Sequence, residues 1–217
     1  EEFAEVRLTG ESATSSVDGI TLEVDLSLAD LAVIKLDERL AVSGYGDTFL
    51  AMEAASVYDL ADYDDKTGEL TANPIGATSH ADALAVANYT KDRTPPTLTS
   101  YSLDMDAGEL SLTFIEPVRA SSLDARDIVL QNNVTETASR FSRTLTATTV
   151  TWSSNALTIT LELGEPDVDA LKLHSMLAKD LGTTFLRLVG TVGAIDDMAG
   201  NTLELNSTRN GAMAASA

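Results

Sequence analysis

The sequence predicts an all-β fold of two tandem β-sandwich domains, each with a short helix, the first lacking its opening strands. One observation is that short segments of alternating apolar and polar residues recur along the 217 residues, most clearly from Leu157 to Leu163. Another is the Pro95-Pro96 pair, which stops any helix or central strand and marks a joint near the middle of the chain. The last is an internal repeat, described below.

The first domain, residues 1–91, begins with alternating segments and then changes its period. Ser27 followed by Asp30 is typical of a helix start with an acidic first turn, so a short helix ending near Ser43 is expected. Strands are expected at residues 3–8, 20–26, 49–57, 69–72 and 81–89.

The second domain, residues 92–217, opens with a predicted β-hairpin. Leu110, Leu112 and Phe114 alternate with polar residues after the turn cluster that runs from Asp104 to Gly108. A helix is expected near Pro166, with Val168, Leu171 and Leu177 facing the core. Later strands are expected at residues 127–131, 144–147, 150–153, 157–163, 185–192 and 202–205.

An internal repeat relates the two halves. The segment beginning at Ile20 aligns with the segment beginning at Leu157, and this alignment places Asp30 against Asp167. Nothing before Phe3 corresponds to residues 98–131. The chain therefore contains one complete unit, preceded by one that lacks its opening strands. The alignment continues by matching Thr48-Phe49-Leu50 with Thr184-Phe185-Leu186 and Tyr58-Asp59 with Ile195-Asp196.

Several short motifs of the second half occur together in a known class of repeat. They are Pro95-Pro96 with Leu98, Leu103-Asp104 with Gly108, residues 110–114 with Glu116-Pro117-Val118, Ser122-Leu123-Asp124, and Asp197-Met198-Ala199-Gly200-Asn201. This pattern resembles tandem immunoglobulin-like repeats of large extracellular or surface stalk, adhesin or filament proteins of bacteria, algae and protists. The resemblance implies immunoglobulin-like β-sandwiches, a location outside the cell or on its surface, and a structural role without catalysis.

Two positions depart from this pattern. The bulky Ile115 stands where a short residue usually precedes the Glu-Pro-Val element, and Asp62-Tyr63-Asp64 stands where the first unit should show the Ala-Gly-Asn turn.

The missing opening strands predict an exposed edge and exposed apolar surface, which another segment must cover. The segment lies upstream in a longer polypeptide, or it comes from a neighbouring copy by donor-strand complementation. The second alternative predicts a head-to-tail homopolymer, because a heterologous contact that does not close propagates into a fibre. Residues 210–217 are expected to form a last strand of their own unit or a strand given to another copy.

Composition excludes several other partners. The formal net charge is −20 and Lys and Arg form no basic stripe, so nucleic acid is not expected as a partner. No apolar run of about 18 residues occurs, so membrane insertion is not expected either. The chain has no cysteine, which excludes disulfides and thiol chemistry.

An enzyme is not expected, and neither is a cofactor. His80 and His174 are the only histidines, and both lie in ordinary loop or helix contexts. The alternative function is an adhesin-type binding module that recognises glycan or protein through acidic, calcium-loaded loops. Asp59 to Glu69 is the best candidate for such a loop, but it does not fit the EF-hand template, so no metal ligand is assigned.

Three Asn-X-Ser/Thr sequons occur, at Asn88, Asn133 and Asn206. Each lies in or beside a predicted loop or strand end, where a glycan would face solvent. In a eukaryotic extracellular fibre these asparagines would carry N-glycans.

Overall fold

A computed structural model describes residues 4–43, 46–59, 72–135, 141–151, 153–189, 194–203 and 213–215. Within these residues the chain forms ten β-strands in three antiparallel sheets and two α-helices, so the predicted all-β fold is confirmed. The chain divides into two compact units, Glu1–Lys91 (unit 1) and Asp92–Ala217 (unit 2). Neither described α-helix, each of nine residues, is long enough to cross a membrane.

Unit 1 contains one helix and one pair of short strands. The helix α1 spans Leu28–Leu36, and the strands β1 (Phe49–Leu50) and β2 (Leu84–Ala85) pair antiparallel. The predicted helix start is confirmed, since the Ser27 hydroxyl accepts a hydrogen bond from the Asp30 backbone N–H at 3.0 Å. The helix ends earlier than predicted because Asp37 takes an extended conformation (φ −83°, ψ 110°).

Unit 2 opens with the predicted hairpin of β3 (Leu98–Asp104) and β4 (Glu109–Val118). One carboxylate oxygen of Asp104 accepts hydrogen bonds from the backbone N–H groups of Asp106 and Ala107, both at 2.8 Å. Gly108 has φ 73°, a conformation that glycine adopts without strain. The Asp104 side chain therefore stabilises the predicted turn.

The remaining strands of unit 2 complete two four-stranded antiparallel sheets. They are β5 (Ile128–Gln131), β6 (Ser142–Thr144), β7 (Val150–Thr151), β8 (Ala156–Glu162), β9 (Phe185–Leu188) and β10 (Met213–Ala214). One sheet has the order β3-β4-β8-β7 and the other β10-β9-β5-β6. The helix α2 spans Glu165–Leu173, and short 3-10 turns cover His80–Asp82, Ala120–Ser122, Ala125–Asp127 and Leu181–Thr183.

Both four-stranded sheets contribute to one hydrophobic core. Leu110 and Leu161 from the first sheet and Leu130 and Leu186 from the second are all fully or almost fully buried in a single cluster. The helix adds Leu171, which confirms the predicted core position. The buried Tyr101 hydroxyl donates a hydrogen bond to the Thr184 carbonyl oxygen at 2.9 Å, which satisfies a polar group inside an otherwise apolar interior.

Unit 1 shows less strand than its sequence predicts. Residues 20–26 form a single isolated bridge, between Ala13 and Asp25, in the described part of the chain. The strand predicted at 49–57 is limited to β1, and the one predicted at 81–89 becomes a 3-10 turn followed by β2. The physical reason is that a strand is defined by hydrogen bonds to a neighbour, and an alternating sequence does not supply that neighbour.

Candidate functional site

The candidate site is the open face of unit 1, defined here by Leu22, Val24, Leu26 and Leu50. The side chains of Leu22, Val24 and Leu26 are 44%, 54% and 41% exposed, although they alternate with polar residues as core-facing side chains do. Isolated exposed apolar residues are ordinary, but a contiguous stripe along one segment marks an interaction surface.

The counterparts of these residues in unit 2 are identified by a shared buried carboxylate. Asp30 accepts hydrogen bonds from the Thr9 backbone N–H, the Thr9 hydroxyl and the Ser12 hydroxyl, at 3.1, 3.0 and 2.5 Å. Asp167 accepts the same three bonds from the Thr146 backbone N–H, the Thr146 hydroxyl and the Thr149 hydroxyl, each at 2.8 Å.

These bonds hold each aspartate in its charged form. The Ser12 hydroxyl contributes most to a pKa of Asp30 below its ordinary value. For Asp167, burial by itself would raise the pKa, but the bonds from Thr146, Arg143 and Thr149 outweigh burial, so the pKa of Asp167 is also lowered. Arg143 binds Asp167 through two nitrogens, at 2.9 and 2.7 Å.

Backbone features of unit 1 also have counterparts in unit 2. The bridge between Ala13 and Asp25 corresponds to the pairing of Val150 with Glu162, at the same sequence offset that separates Asp30 from Asp167. Ala41 and Ala178, again at that offset, both have positive φ, at 53° and 54°.

The pairing of β9 with β10 in the second sheet of unit 2 also has a counterpart in unit 1, the pairing of β1 with β2. Phe49 pairs with Ala85 as Phe185 pairs with Ala214, and Leu50 pairs with Leu84 as Leu186 pairs with Met213. The hydrogen bond from the Val86 N–H to the Thr48 carbonyl oxygen, at 3.0 Å, has its counterpart between Ala215 and Thr184 at 3.2 Å. The aligned segments Thr48-Phe49-Leu50 and Thr184-Phe185-Leu186 therefore have the same pairing.

This correspondence shows what covers the equivalent surface in unit 2. Ile159, Leu161 and Leu163, the counterparts of Leu22, Val24 and Leu26, are 0%, 0% and 5% exposed. β4 pairs with β8 along this stripe, with Leu112 opposite Ile159 and Leu110 opposite Leu161.

The second sheet of unit 2 covers the counterpart of Leu50 in the same way. β5 pairs with β9 and places Leu130 opposite the buried Leu186, whereas Leu50 of unit 1 is exposed. Among the described residues of unit 1, none pairs beside the open face as β3, β4 and β5 do in unit 2.

A hydrogen-bonded Asp-Asn pair occurs in each unit and corrects the alignment by one residue. Asp197 accepts from the Asn201 backbone N–H and side-chain amide, both at 2.7 Å. Asp59 accepts the same two bonds from Asn73, at 2.7 and 3.0 Å, and these bonds lower the pKa of Asp59. Asp59 therefore corresponds to Asp197, not to Asp196. The error arose upstream of the pair, because ten residues, 187–196, separate Leu186 from Asp197, against eight, 51–58, between Leu50 and Asp59, and the alignment had allowed for one extra residue only.

Unit 2 also contains a cluster of three carboxylates that the sequence analysis did not assemble. One oxygen each from Asp92, Glu116 and Asp197 lies within 4.8 Å of the others, and Glu116 and Asp197 are buried. Oxygen donors of this kind suit a hard divalent cation such as Ca²⁺, so among the described residues this group could hold one. Glu116 and Asp197 belong to motifs quoted above and Asp92 does not, and the three are distant in sequence, so only the tertiary structure brings them together.

The structure describes some of the other predicted site residues. Of the candidate calcium loop, Asp59 is described and accepts the hydrogen bonds from Asn73, whereas residues 60–69 lie outside the described residues. The calcium-binding alternative stays a prediction. Among the sequons, Asn88 is exposed, Asn133 is partly buried and accepts a hydrogen bond from the Thr135 N–H at 3.3 Å, and Asn206 lies outside the described residues.

The two histidines have separate surroundings. His80 is exposed, 3.3 Å from a carboxylate oxygen of Glu5, and His174 packs against the Phe141 ring with 4.4 Å between ring centroids.

Comparison with models of known protein families, with curated proteins and with solved structures found no match to this chain.

Proposed function

We propose that this chain is a non-enzymatic structural segment of an extracellular fibre, hair or surface stalk. Its two units are tandem immunoglobulin-like β-sandwiches, and the first is completed by strands that a neighbouring repeat supplies. The observation that carries the proposal is the exposure of Leu22, Val24 and Leu26, whose counterparts in unit 2 form the centre of the core.

The energetic argument follows from apolar area. Burial of a Leu or Val side chain contributes roughly 1.5–3 kcal/mol, so a stripe of several such residues favours association with a complementary surface. An exposed segment with unpaired backbone groups adds hydrogen-bonding positions along its edge. Both terms favour addition of strands to unit 1 over binding of a small molecule.

The tandem order of the two units in the sequence also suits a mechanical role. Pro95 and Pro96 fix two φ angles at the boundary of the units, so they limit flexion of the backbone there. Repeats that each contact only their sequence neighbours add their lengths along one direction, which is the geometry of a stalk or filament.

The proposal is tested by immuno-electron microscopy of intact, unpermeabilised cells with an antibody raised against this chain. We expect label at regular intervals along surface filaments whose repeat is a few nanometres. Label confined to the cell interior, or on dispersed surface particles with no filament, would contradict the structural role. An antibody adsorbed with the purified chain serves as the control.

A further inference from the structure

We infer that the open face of unit 1 takes a three-stranded donor, with a β-hairpin in one sheet and a third strand in the other. This inference rests on the proposed function and identifies the partner: a polypeptide segment with the strand pattern of Leu98–Gln131, contributed by a repeat other than the two described here. A single donated strand would not suffice, because the exposed residues belong to counterparts of both sheets.

The hairpin follows from the surroundings of β8. In unit 2, β8 has β7 on one side and β4 on the other, and β4 is hydrogen-bonded in turn to β3. In unit 1 the counterpart of the β7 contact is present as the bridge between Ala13 and Asp25. The donor hairpin takes the position beside residues 20–26 that corresponds to the position of β4 beside β8.

The third strand follows from the surroundings of β9. In unit 2, β9 lies between β10 and β5, and residues from Ile128 to Gln131 pair with Leu188 to Phe185. In unit 1, β2 already occupies the place of β10 beside β1. A donor strand beside β1 would cover Leu50 as Leu130 covers Leu186.

Two described segments of this chain with donor character are already used within unit 2. Leu98–Gln131 has its apolar side chains in the core of unit 2, so releasing it would expose Leu110, Leu112 and Leu130. The strand Met213–Ala214, which lies in the stretch from which a donated strand was predicted, pairs with β9 of its own unit. A second copy of this chain therefore donates neither segment without opening its own unit 2.

The donor has a defined chemistry. It presents alternating large apolar residues opposite Leu22 and Val24, as Leu112 and Leu110 do opposite Ile159 and Leu161. It also carries a carboxylate at the position of Glu116, which in the completed unit would approach Asp59 as Glu116 approaches Asp197 in unit 2. A three-stranded segment of this kind differs from a generic hydrophobic peptide in length and in register.

The test uses the full chain and two synthetic probes, followed by hydrogen exchange with mass spectrometry. One probe has the sequence of residues 92–135 and carries all three strands, and the other has residues 109–118 and carries β4 alone. We expect the long probe to slow amide exchange in residues 20–26 and in β1 by about tenfold or more. The short probe should protect residues 20–26 weakly and leave β1 unchanged.

Matched variants define the face that binds. Val24→Lys places a charge on the open face and should abolish protection by the long probe. Thr21→Lys adds the same charge at the counterpart of the exposed Thr158 and should leave protection intact. Equal protection by both probes would overturn the three-stranded donor, and so would the absence of protection by the long probe. If labelled filaments are seen on cells in either case, the structural role stands without this donor.

Discussion

Two buried aspartates, Asp30 and Asp167, accept equivalent hydrogen bonds in the two units. Each is fixed by a backbone N–H and two hydroxyls from a loop in front of the aspartate, and each stands in the first turn of a helix. A carboxylate in that position also interacts favourably with the positive end of the helix dipole. The aspartate therefore ties a loop to a helix start, a structural role that explains its burial without catalysis.

At Asp167 this role can be measured. Asp167→Asn removes the charge that pairs with Arg143 and places amide hydrogens against the donors of Thr146 and Thr149. We expect the free energy of unfolding of unit 2 to fall by about 2 kcal/mol or more at neutral pH, measured by urea unfolding with circular dichroism.

The pH dependence of this difference has a defined sign. The pKa of Asp167 is lowered from 3.8 in the folded chain, so its contribution to stability is complete above that ordinary value and is lost as pH falls toward the folded pKa. The difference in the free energy of unfolding between the parent chain and Asp167→Asn should become smaller as pH falls below about 4. Asp169→Asn, at an exposed aspartate two residues away, should have the same free energy of unfolding as the parent chain. A difference for Asp167→Asn that persists at low pH would contradict this account.

At the scale of elements, the segment 20–26 and β8 show that the same alternation can have two outcomes. Both segments alternate apolar and polar residues, but only β8 has β4 beside it. Local propensity and pattern are therefore satisfied in both, and the hydrogen-bonded neighbour decides which one becomes a regular strand.

A pair of substitutions compares the two outcomes directly. Leu161→Ala leaves a cavity in the core of unit 2 and should lower the free energy of unfolding by about 2–5 kcal/mol. Val24→Ala, at the exposed counterpart, should change it by less than about 0.5 kcal/mol in the isolated chain. Both values come from urea unfolding curves, and a comparable loss at Val24 would show that this side chain is already covered.

At the scale of the whole molecule, the two units differ in how much they bury. Among the described residues of unit 1, only Ala32 and Asp30 are buried, whereas unit 2 has a continuous core drawn from both of its four-stranded sheets. Cooperative stability comes mainly from buried apolar area, so the two units should not be equally stable.

The full chain should therefore unfold in two steps. We expect unit 1 to lose its structure at a lower urea concentration than unit 2, with amides of residues 20–26 exchanging early. Hydrogen exchange with mass spectrometry at increasing urea follows the two units separately, because each proteolytic peptide can be assigned to one unit. The long donor probe should move the first step to higher urea and leave the second in place. If both units unfolded in a single transition in the absence of the probe, the predicted difference in their stability would be wrong.

The sequence by itself determined the elements that depend on local chemistry. The hairpin turn at Asp104 to Gly108, the helix starts near Ser27 and Pro166, and the core position of Leu171 were all predicted, because turn residues, caps and periodicity act over a few residues. The alignment of the repeat also placed Asp30 against Asp167, and both aspartates make equivalent bonds.

Only the tertiary structure decided which predicted strands find a partner and which distant residues meet. Residues 20–26 stay outside a ladder, Asp59 pairs with Asn73 across a long insertion, and Asp92, Glu116 and Asp197 converge. Each result depends on contacts between segments far apart in sequence. The sequence predicted an exposed apolar surface on the first unit, but the local pattern is the same whether or not such a contact forms. The residues of the open face were therefore identified only after the residues that cover their counterparts were seen.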